Sequence, residues 1–583
     1  MQLSLFFFVL ATATFARPQR RTTWSLTQPG TTGVAAMQIV VVSETQILIV
    51  DKVQHNPLTI NGHVAWSSIY SLTNNTVRPV DVQTNSFCAS GNFLSNGTLV
   101  NIGGNLAIFT NGTTQYPQPI PNTNGLQGLR HFYVDQCTDS ASQCAFYESP
   151  NRIRLTSWRW YPSSLRLQDG SVLVVGGSLT GAFMSNSSLD NPTMEFYPPK
   201  ALNGFNGTAI PSPFLVDTLN ANLFPITYLL PSGQVFIAAN TMAMIYNWQT
   251  NTETRLPNIP NGVRVTYPMT GTGLLLPLRP SNNYEATVMI CGGQARSDTA
   301  APSSYSALDT ASSQCASITL TTAGIAQGWI VETMPDARIM PDAVLLPTGK
   351  VLIANGGKSG YAGYGNVQNQ VGASNAANPV YTPVLYDPNI ALNASNPSAR
   401  FSSVGLPTSS IARMYHSVAT LTPNGEIWIA GSSPSLDVTN VTFATEYRAE
   451  ILSPDYVSVT TRPIITSAPS IMAFNQSYTI QLQTAPPATS TVEVALMDFG
   501  FSTHSVHMDM RHVELVSSSV PVVGPVHIDS PPNGNIFPPG PGWLFVIVDG
   551  VPSKGVRVMV GTGASPPVDL GAWAHMLAST RNP

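Results

Sequence analysis

Apolar residues along the chain recur in short runs that follow glycine-containing turns. The pattern is clearest in LSNGTLVNIGG (94–104), LQDGSVLVVGG (167–177), LPSGQVFIAAN (230–240), LPTGKVLIANGG (346–357) and TPNGEIWIAGS (422–432). Two weaker copies are SETQILIVDK (43–52) and EATVMICGGQ (285–294). Few stretches repeat apolar residues at helical spacing, so the pattern predicts short strands joined by tight turns.

Seven copies, spaced roughly 50–75 residues apart, indicate a repeat architecture built from small sheets. Stacking such sheets in a ring covers their faces and leaves only short edges. We therefore predict an all-β protein with a seven-bladed β-propeller over about 17–460. Its Gly-Gly strand ends and Tyr-Asp-Pro strands resemble the kelch type. We expect the strand near 43–52 to join strands late in the propeller and close the ring.

The repeat stops near Pro454, and the residues that follow alternate short strands with Pro- and Gly-rich turns. They number about 120, which matches the size of an immunoglobulin-like β-sandwich. We predict this second domain over about 461–583.

Composition narrows the class of protein. Only 10% of the residues are charged and the net charge is −4, so we expect no nucleic-acid partner. The N-terminus, MQLSLFFFVLATATFARPQRR, has the short apolar core of a secretory signal peptide (1–16), cut near Ala16, and is too short to span a membrane. We therefore expect a secreted, soluble monomer. Eight N-x-S/T triplets agree with secretion: Asn74, Asn96, Asn111, Asn186, Asn206, Asn393, Asn440 and Asn475.

Five cysteines are an odd number for a secreted chain. Cys137 and Cys144 bound the short loop CTDSASQC and indicate one disulfide. Cys291 and Cys315 flank a Ser/Ala-rich loop and indicate a second. Cys88 is then left over, either as a buried, inert thiol or as a residue with a chemical partner.

Tyrosine and histidine residues that precede the repeats are candidates for metal binding. Copper(II) favours imidazole together with N or O donors, and the chain has only 9 histidines. Tyr415 and His416 lie just before a strand, where an irregular backbone would let adjacent side chains share one metal ion. Tyr161 occupies the matching place in another repeat, and Cys88 does so in a third. An Arg-x-Tyr pair that simply belongs to the repeat explains the tyrosines equally well.

A second cluster, STHSVHMDMRHVEL (502–515), contains His504, His507 and His512. On a regular strand the odd spacing of the first two places them on opposite faces. At most one of those two would then face a common site, and periodicity does not say which.

Five motifs, taken in order, resemble the copper radical oxidases, and in particular the glyoxal oxidase branch related to galactose oxidase. They are SFCASGNFLSNGTLVNIGG, RWYPSSLRLQDGSVLVVGG, ARMYHSVATLTPNGEIWIAGSSPS, STHSVHMDMR and PPGPGWLFVIVDGVPSKGVRVMVG. The resemblance implies one copper ion bound by Tyr161, Tyr415, His416 and His504, with His504 supplied by the C-terminal sandwich. It also implies a thioether between Cys88 and the Tyr161 ring, which would hold a radical, and a general base at Tyr415.

The reaction that the resemblance implies is the oxidation of small aldehydes, such as glyoxal, methylglyoxal or glycolaldehyde, to carboxylic acids. O2 would be reduced to H2O2, which downstream peroxidases would consume. The nearest alternative is a primary-alcohol or galactose-type oxidase with the same chemistry. A second alternative is a non-catalytic kelch propeller that binds protein or carbohydrate.

One position departs from galactose oxidase, which carries a tryptophan stacked over the thioether. This chain has Leu179 there. Trp158 and Trp160 are the candidates to shield the radical instead.

Overall fold

The computed structural model describes residues 23–108, 120–138, 144–487, 489–517 and 525–581. The predicted signal peptide (1–16) and the sequon at Asn111 lie outside these residues. Strands dominate the described chain, so the predicted all-β class is confirmed. The short α-helices are Pro213–Asp217, Thr322–Gln327 and Leu570–Ser579, and the 3₁₀ helices are Val134–Gln136, Pro260–Gly262, Pro280–Asn282, Pro302–Ser304 and Asp455–Ser458. Among these described helices, none has the length and apolar character that crossing a bilayer requires.

Seven antiparallel sheets follow one another along the described part of the chain, and we number them 1 to 7. Sheets 1 to 4 consist of Gln38–Val41, Gln46–Val50, Ser67–Ser71 and Val77–Pro79; Ser90–Phe93, Leu99–Ile102, Leu129–Phe132 and Tyr147–Glu148; Ser163–Arg166, Val172–Val175, Thr193–Tyr197 and Ile210–Pro211; and Ile226–Leu229, Val235–Ala239, Met242–Asn247 and Thr252–Arg255. Sheets 5 to 7 consist of Gly271–Leu275, Thr287–Gly292, Gln314–Thr319 and Ile330–Thr333; Asp342–Leu345, Val351–Ala354, Val384–Tyr386 and Phe401–Ser402; and Ser417–Leu421, Ile427–Gly431, Arg448–Ser453 and Ser25–Thr31.

Each of the seven apolar runs in the sequence forms the second strand of one sheet. These strands are buried along nearly their whole length, as in Val172–Val175 and Val351–Ala354. Continuous burial on both faces explains why they are uninterrupted apolar runs rather than alternating ones. In sheets 2, 3, 4, 6 and 7 the preceding Gly-containing turn returns the chain from the first strand to the second.

The strand near 43–52 does not close the set of sheets, so that expectation is wrong. Gln46–Val50 is the second strand of sheet 1 and pairs with Gln38–Val41 and Ser67–Ser71. The closing strand is Ser25–Thr31, which pairs with Arg448–Ser453 of sheet 7. It is largely exposed and therefore carries no apolar run that could have revealed it.

Contacts between the sheets run in cyclic order. The first strand of each sheet from 2 to 6 contacts the first strand of the next, and that of sheet 7 contacts sheet 1. A hairpin of Phe501–Thr503 and Val506–Met508, here called the inserted hairpin, pairs with Gln38–Val41. It contacts the first strands of all seven sheets. The description of this arrangement as a seven-bladed kelch propeller stays a prediction.

The C-terminal residues form two further sheets, and the division into domains at 460/461 stays a prediction. One contains Ile465–Ser467, Ser477–Leu482, Val526–Asp529 and Val516–Ser517, and the other contains Ile471–Met472, Val556–Val560, Gly540–Val548, Val492–Asp498, His512–Glu514 and Val551–Pro552. Their apolar side chains share a core with sheets 4 and 5. The described residues contain three further hairpins, Thr59–Ile60 with His63–Val64, Ala201–Leu202 with Phe205–Asn206, and Gly357–Tyr364 with Ser374–Pro379.

A buried ion pair fixes the base of the inserted hairpin. Arg166 of sheet 3 pairs with Asp498, and its backbone N–H donates to Asp509 Oδ1 at 2.8 Å. Asn92 of sheet 2 donates to Asp509 Oδ2 at 2.7 Å. Buried charges are tolerated only when they are paired and hydrogen-bonded, so this cluster specifies one position for the hairpin.

The two predicted disulfides are both present, and they join Cys137 to Cys144 and Cys291 to Cys315. Cys88 is free of disulfide bonds and fully buried. The leftover thiol that the cysteine count indicates is therefore real.

Candidate metal centre

Three of the predicted site residues share one position in the repeat. Cys88, Tyr161 and Tyr415 each lie two residues before the first strand of their sheet, in sheets 2, 3 and 7. His416 follows Tyr415, and His504 lies in the turn of the inserted hairpin. The cyclic contacts of the sheets bring the beginnings of these strands together around the hairpin.

The backbone just before each of these first strands contains a left-handed residue. The φ angles are +59° at Cys88 and +62° at Tyr161, a conformation that costs a non-glycine residue about 1–2 kcal/mol. In sheet 7 the left-handed residue is His416, one position later than Tyr415, with a φ of +66°. Phe224 and Met340, which precede the first strands of sheets 4 and 6, have φ of +51° and +56°. The strain therefore belongs to the repeat and is not by itself a sign of a metal site.

His504 lies in a turn and not on a strand, so the rule that successive side chains point to opposite faces does not apply to it. His504 and Ser505 form the two-residue turn of the inserted hairpin, with φ of +50° and +67°. Two positive φ angles are typical of a type I′ turn, in which Asn-Gly is the preferred sequence. The His-Ser pair departs from that preference, so the turn was not recognisable from the sequence.

His507 and His512 lie elsewhere. His507 packs against Gly500, where an added Cβ would meet the imidazole Nε2 at 2.6 Å. His512 Nε2 lies 3.1 Å from the carbonyl oxygen of Pro347. Of the three histidines in this stretch, the structure brings His504 to the other site residues.

Five side chains converge at the tip of the inserted hairpin. Cys88 Sγ lies 3.3 Å from His504 Nε2, and the ligand atoms of Cys88, His416 and His504 lie within 4.8 Å of one another. The ring centroid of His504 is 4.9 Å from that of Tyr161 and 5.5 Å from that of Tyr415. Tyr415 and His416 have ring centroids 3.8 Å apart, so the irregular backbone does place these neighbours side by side. The Tyr161 N–H donates to the Cys88 carbonyl at 3.3 Å.

Two polar atoms at this centre have no hydrogen-bond partner among the described residues. They are the Tyr161 hydroxyl and His416 Nε2, both fully buried. His416 Nδ1 is held 3.0 Å from the Ser433 carbonyl oxygen, and His504 Nδ1 lies 2.6 Å from Thr503 Oγ1. An unsatisfied buried polar atom costs about 1–3 kcal/mol, so these atoms fit a ligand that binds both. Two oriented imidazoles with phenol oxygens are a donor set that suits copper(II).

Comparison with known proteins identifies the chain. The family model of the glyoxal oxidase N-terminus matches residues 50–456, and that of the galactose oxidase-like early set domain matches residues 462–560. Aldehyde oxidase GLOX of Vitis pseudoreticulata is 31% identical over 91% of this chain and 95% of its own length. The chain belongs to the glyoxal oxidase family. It is therefore an oxidoreductase of the copper radical oxidase group, and the family resemblance is confirmed.

Two further relatives extend this result. Aldehyde oxidase GLOX1 of Arabidopsis thaliana is 31% identical to this glyoxal oxidase family member. The match covers 85% of this chain and 75% of the length of GLOX1. The fold also matches a solved structure, which is described as a novel fungal alcohol oxidase of the AA5 family in complex with copper. The match covers 93% of this chain and 100% of the fungal chain. Its TM-score is 0.67 at 18% identity, so the two share a fold.

Burial sets the protonation of the histidines in this glyoxal oxidase family member. It lowers the pKa of His504 to about 3. It also lowers the pKa of His416 well below its usual value, with smaller contributions from His504 and Lys52. Both imidazoles are therefore neutral near pH 7, and each keeps a lone pair for a metal ion. Burial likewise raises the pKa of the Cys88 thiol, so this thiol is protonated when no metal is bound.

Lys52 is a neighbour of the centre that sequence reasoning missed. Its side chain is fully buried, and Nζ donates to Gln54 Oε1 at 2.6 Å and to the Leu436 carbonyl at 2.9 Å. Burial lowers its pKa to about 8. The positive charge lowers the pKa of Cys88, an effect smaller than that of burial. Lys52 ends the copy SETQILIVDK, but that motif indicated a strand and no chemistry. Its proximity to the centre depends on the loop after the second strand of sheet 1.

An aromatic shell surrounds Tyr161. Trp160 is only 3% exposed and its ring centroid lies 4.1 Å from that of Tyr161, whereas Trp158 is 42% exposed. Of the two tryptophans, Trp160 is therefore the one that covers the Tyr161 ring. Phe224 and Tyr267, which the sequence analysis did not single out, lie 4.6 and 4.3 Å from it. Phe224 shares the offset of Cys88 and Tyr161 from the first strand, and that offset is a signal that could have found it.

Proposed function

We propose that this protein is a secreted copper radical oxidase that oxidises small aldehydes to carboxylic acids and reduces O2 to H2O2. The observation that carries the proposal is the convergence of two imidazoles, two phenols and a lone thiol at one buried point. These groups come from sheets 2, 3 and 7 and from the inserted hairpin. The names of the two plant relatives support an aldehyde rather than an alcohol as the substrate.

Tyr161, Tyr415, His416 and His504 would hold one copper ion. The unpartnered hydroxyl of Tyr161 and Nε2 of His416 support this ligand set. Copper would supply Lewis acidity at the substrate oxygen and would accept one of the two electrons of the reaction. The other ligand atoms would be His504 Nε2 and the Tyr415 hydroxyl oxygen.

Cys88 and Tyr161 would form the second half of the cofactor. A C–S bond between Cys88 Sγ and the Tyr161 ring replaces one S–H and one C–H bond, and O2 takes up the two hydrogens with their electrons. The backbone hydrogen bond between the two residues and the approach of both side chains to His504 support this pairing. Tyr161 would then carry the radical beneath the ring of Trp160.

The protein's own side chains would perform two transfers. The Tyr415 oxygen would accept the proton of the substrate hydroxyl, which is general-base catalysis. The Tyr161 oxygen would take a hydrogen atom from the substrate carbon. An aldehyde would react as its hydrate, and O2 would accept two electrons and two protons and leave as H2O2.

We further propose that residues 17–460 form a seven-bladed kelch-type propeller and residues 461–583 an immunoglobulin-like sandwich. The cyclic contacts of the seven sheets and the closing strand Ser25–Thr31 support the propeller. The two disulfides support an oxidising compartment and hence secretion. His504 would reach the copper ion from the sandwich by way of the inserted hairpin.

Peptide mass mapping of the copper-loaded protein tests the proposal. We expect the Cys88 and Tyr161 peptides to be joined, with a mass two hydrogens below their sum, and we expect glyoxal to release H2O2. The Cys88→Ser variant is the matched control, because serine keeps the size of the side chain but forms no thioether. It should give separate peptides and lose most of the turnover. A free Cys88 thiol after exposure to copper and O2, with no peroxide from any aldehyde, would contradict the proposal.

A further inference from the structure

One hairpin lies at the same end of the sheets as the metal centre. It consists of Gly357–Tyr364 and Ser374–Pro379, and we call it the capping hairpin. It follows the second strand of sheet 6, and that strand ends at Ala354, opposite Asp342 at the start of the first strand. The beginnings of the first strands carry the metal centre, so the capping hairpin leaves sheet 6 beside it.

A bulge in the capping hairpin redirects one side chain. Gly360 pairs with Ala376, and Tyr364 pairs with Ser374. An advance of four residues along the first strand therefore corresponds to an advance of only two along the second. A bulge of this kind bends the strand and re-aims its side chains. Gly363 makes the bulge possible, since its φ is +108° and an added Cβ would meet the Tyr267 hydroxyl at 3.2 Å.

The re-aimed side chain is Tyr364. Its ring centroid lies 6.2 Å from that of Tyr415 and 6.4 Å from that of His416. The other described aromatic neighbours of these two rings are buried, with Phe87 7% and Tyr267 5% exposed. Tyr364 is half-buried. Among the described rings around the centre, it is therefore the one that reaches from the ligand side chains to solvent.

We infer that Tyr364 is the residue that limits the size of the substrate. This inference rests on the proposed function, because it assigns a role at the same centre. A hydrated two- or three-carbon aldehyde passes beside the Tyr364 ring, whereas a hexose or a benzylic alcohol meets the ring before its reacting oxygen arrives at Tyr415. The specificity for small aldehydes is then a property of the capping hairpin and not of the metal ligands.

The test compares substrates of two sizes on the copper-loaded, full-length protein. We expect Tyr364→Ala to raise kcat/KM for benzyl alcohol relative to glyoxal by at least tenfold, through a lower KM for the alcohol. Tyr364→Phe is the matched control, since it keeps the ring and should leave the ratio unchanged. If Tyr364→Ala loses copper or the thioether, Tyr364→Leu takes its place.

A binding measurement gives the same answer without turnover. Acetate and benzoate are titrated into the copper(II) protein and followed by electron paramagnetic resonance. We expect acetate to perturb the spectrum of the wild type and of Tyr364→Ala, and benzoate to perturb that of Tyr364→Ala alone. Equal responses of wild type and variant to benzoate, or an unchanged substrate ratio, overturn the inference. A wild type that has no thioether and releases no peroxide instead overturns the proposed function.

Discussion

Sheets 6 and 7 begin in the same way and differ in what they present to the centre. Arg338 and Arg413 are both buried, and each donates to carbonyl groups of its own sheet region. Two residues later the chain has Met340 in sheet 6 and Tyr415 in sheet 7. The arginine thus belongs to the repeat, as the Arg-x-Tyr pattern allowed. Two positions after the arginine, sheet 7 therefore presents a phenol to the centre, whereas sheet 6 presents an apolar side chain.

The two sheets also differ in how their buried polar groups are balanced. Arg413 forms an ion pair with Glu450, with 2.8 Å between Nη2 and Oε2. For Arg338 the described residues provide no carboxylate within 4.0 Å, and it bonds to the carbonyl oxygens of Asn355 and Thr382. Conversely, sheet 6 begins with the buried carboxyl of Asp342, where sheet 7 has a serine.

The largest expected difference between the sheets is in turnover. Tyr415→Phe removes the phenol oxygen that would accept the substrate proton, so we expect kcat to fall by about 10²–10⁴-fold while His416 and His504 retain some copper. Met340→Leu, at the matching position of sheet 6, should stay within about threefold of the wild type. Peroxide release and the copper content of both variants check this. An unchanged kcat in Tyr415→Phe would remove that residue from the reaction.

The next difference is in stability. Arg413→Met leaves Glu450 buried without its partner, which costs about 3–5 kcal/mol. Arg338→Met leaves no buried carboxylate behind and should cost less, about 1–3 kcal/mol for the carbonyl groups that lose a donor. Thermal unfolding of the two variants measures the order. The double variant Arg413→Met, Glu450→Gln should recover part of the loss, and equal melting temperatures of the two single variants would contradict the comparison.

The third difference concerns the dependence of stability on pH, to which sheet 6 contributes a buried carboxyl that sheet 7 lacks at the matching place. Burial raises the pKa of Asp342 to about 8, although a hydrogen bond from Asn355 opposes the shift. Between about pH 4 and pH 8 the folded state therefore holds a proton that the unfolded state has lost, so stability falls as the pH rises. Over this window the loss is on the order of a few kcal/mol.

Asp342→Asn removes this titrating group and should make the fall in stability between pH 5 and pH 8 less steep. Unfolding by urea at pH 5 and pH 8, in the wild type and in the variant, gives the slope directly. Because a serine occupies the matching place in sheet 7, Ser417→Asn should leave the slope of the wild type unaltered. An equal slope in Asp342→Asn and the wild type would show that another group is responsible.

The sequence predicted those strands in which every residue is buried, because such strands appear as short continuous apolar runs. The second strands were visible because both faces of strands such as Val172–Val175 are covered, which demands a continuous apolar run. Cys88, Tyr161 and Tyr415 stood out because each shortly precedes a hairpin whose second strand is such a run. The closing strand was missed because it lies at the edge of sheet 7 and is largely exposed.

The remaining parts of the centre depend on long-range geometry. Periodicity could not distinguish His504 from His507 as the site residue. That argument assumes side chains that alternate between the two faces of a strand, and His504 lies in a two-residue turn where they do not. Tyr364 reaches the centre through a bulge that pairs residues about ten positions apart, and no apolar pattern encodes it. Lys52 lies beside the centre only because sheets 1 and 7 are neighbours.

The inserted hairpin has a consequence for how the protein matures in the cell. His504 lies after all seven sheets in the chain, and residues that fix the base of its hairpin, such as Asp498 and Asp509, are equally late. During synthesis the ribosome releases the sheets long before it releases this histidine. With the proposed ligand set, copper would be bound, and any oxygen-dependent chemistry would begin, only after translation of the C-terminal region. A chain that stalls before His504 would then lack the complete ligand set.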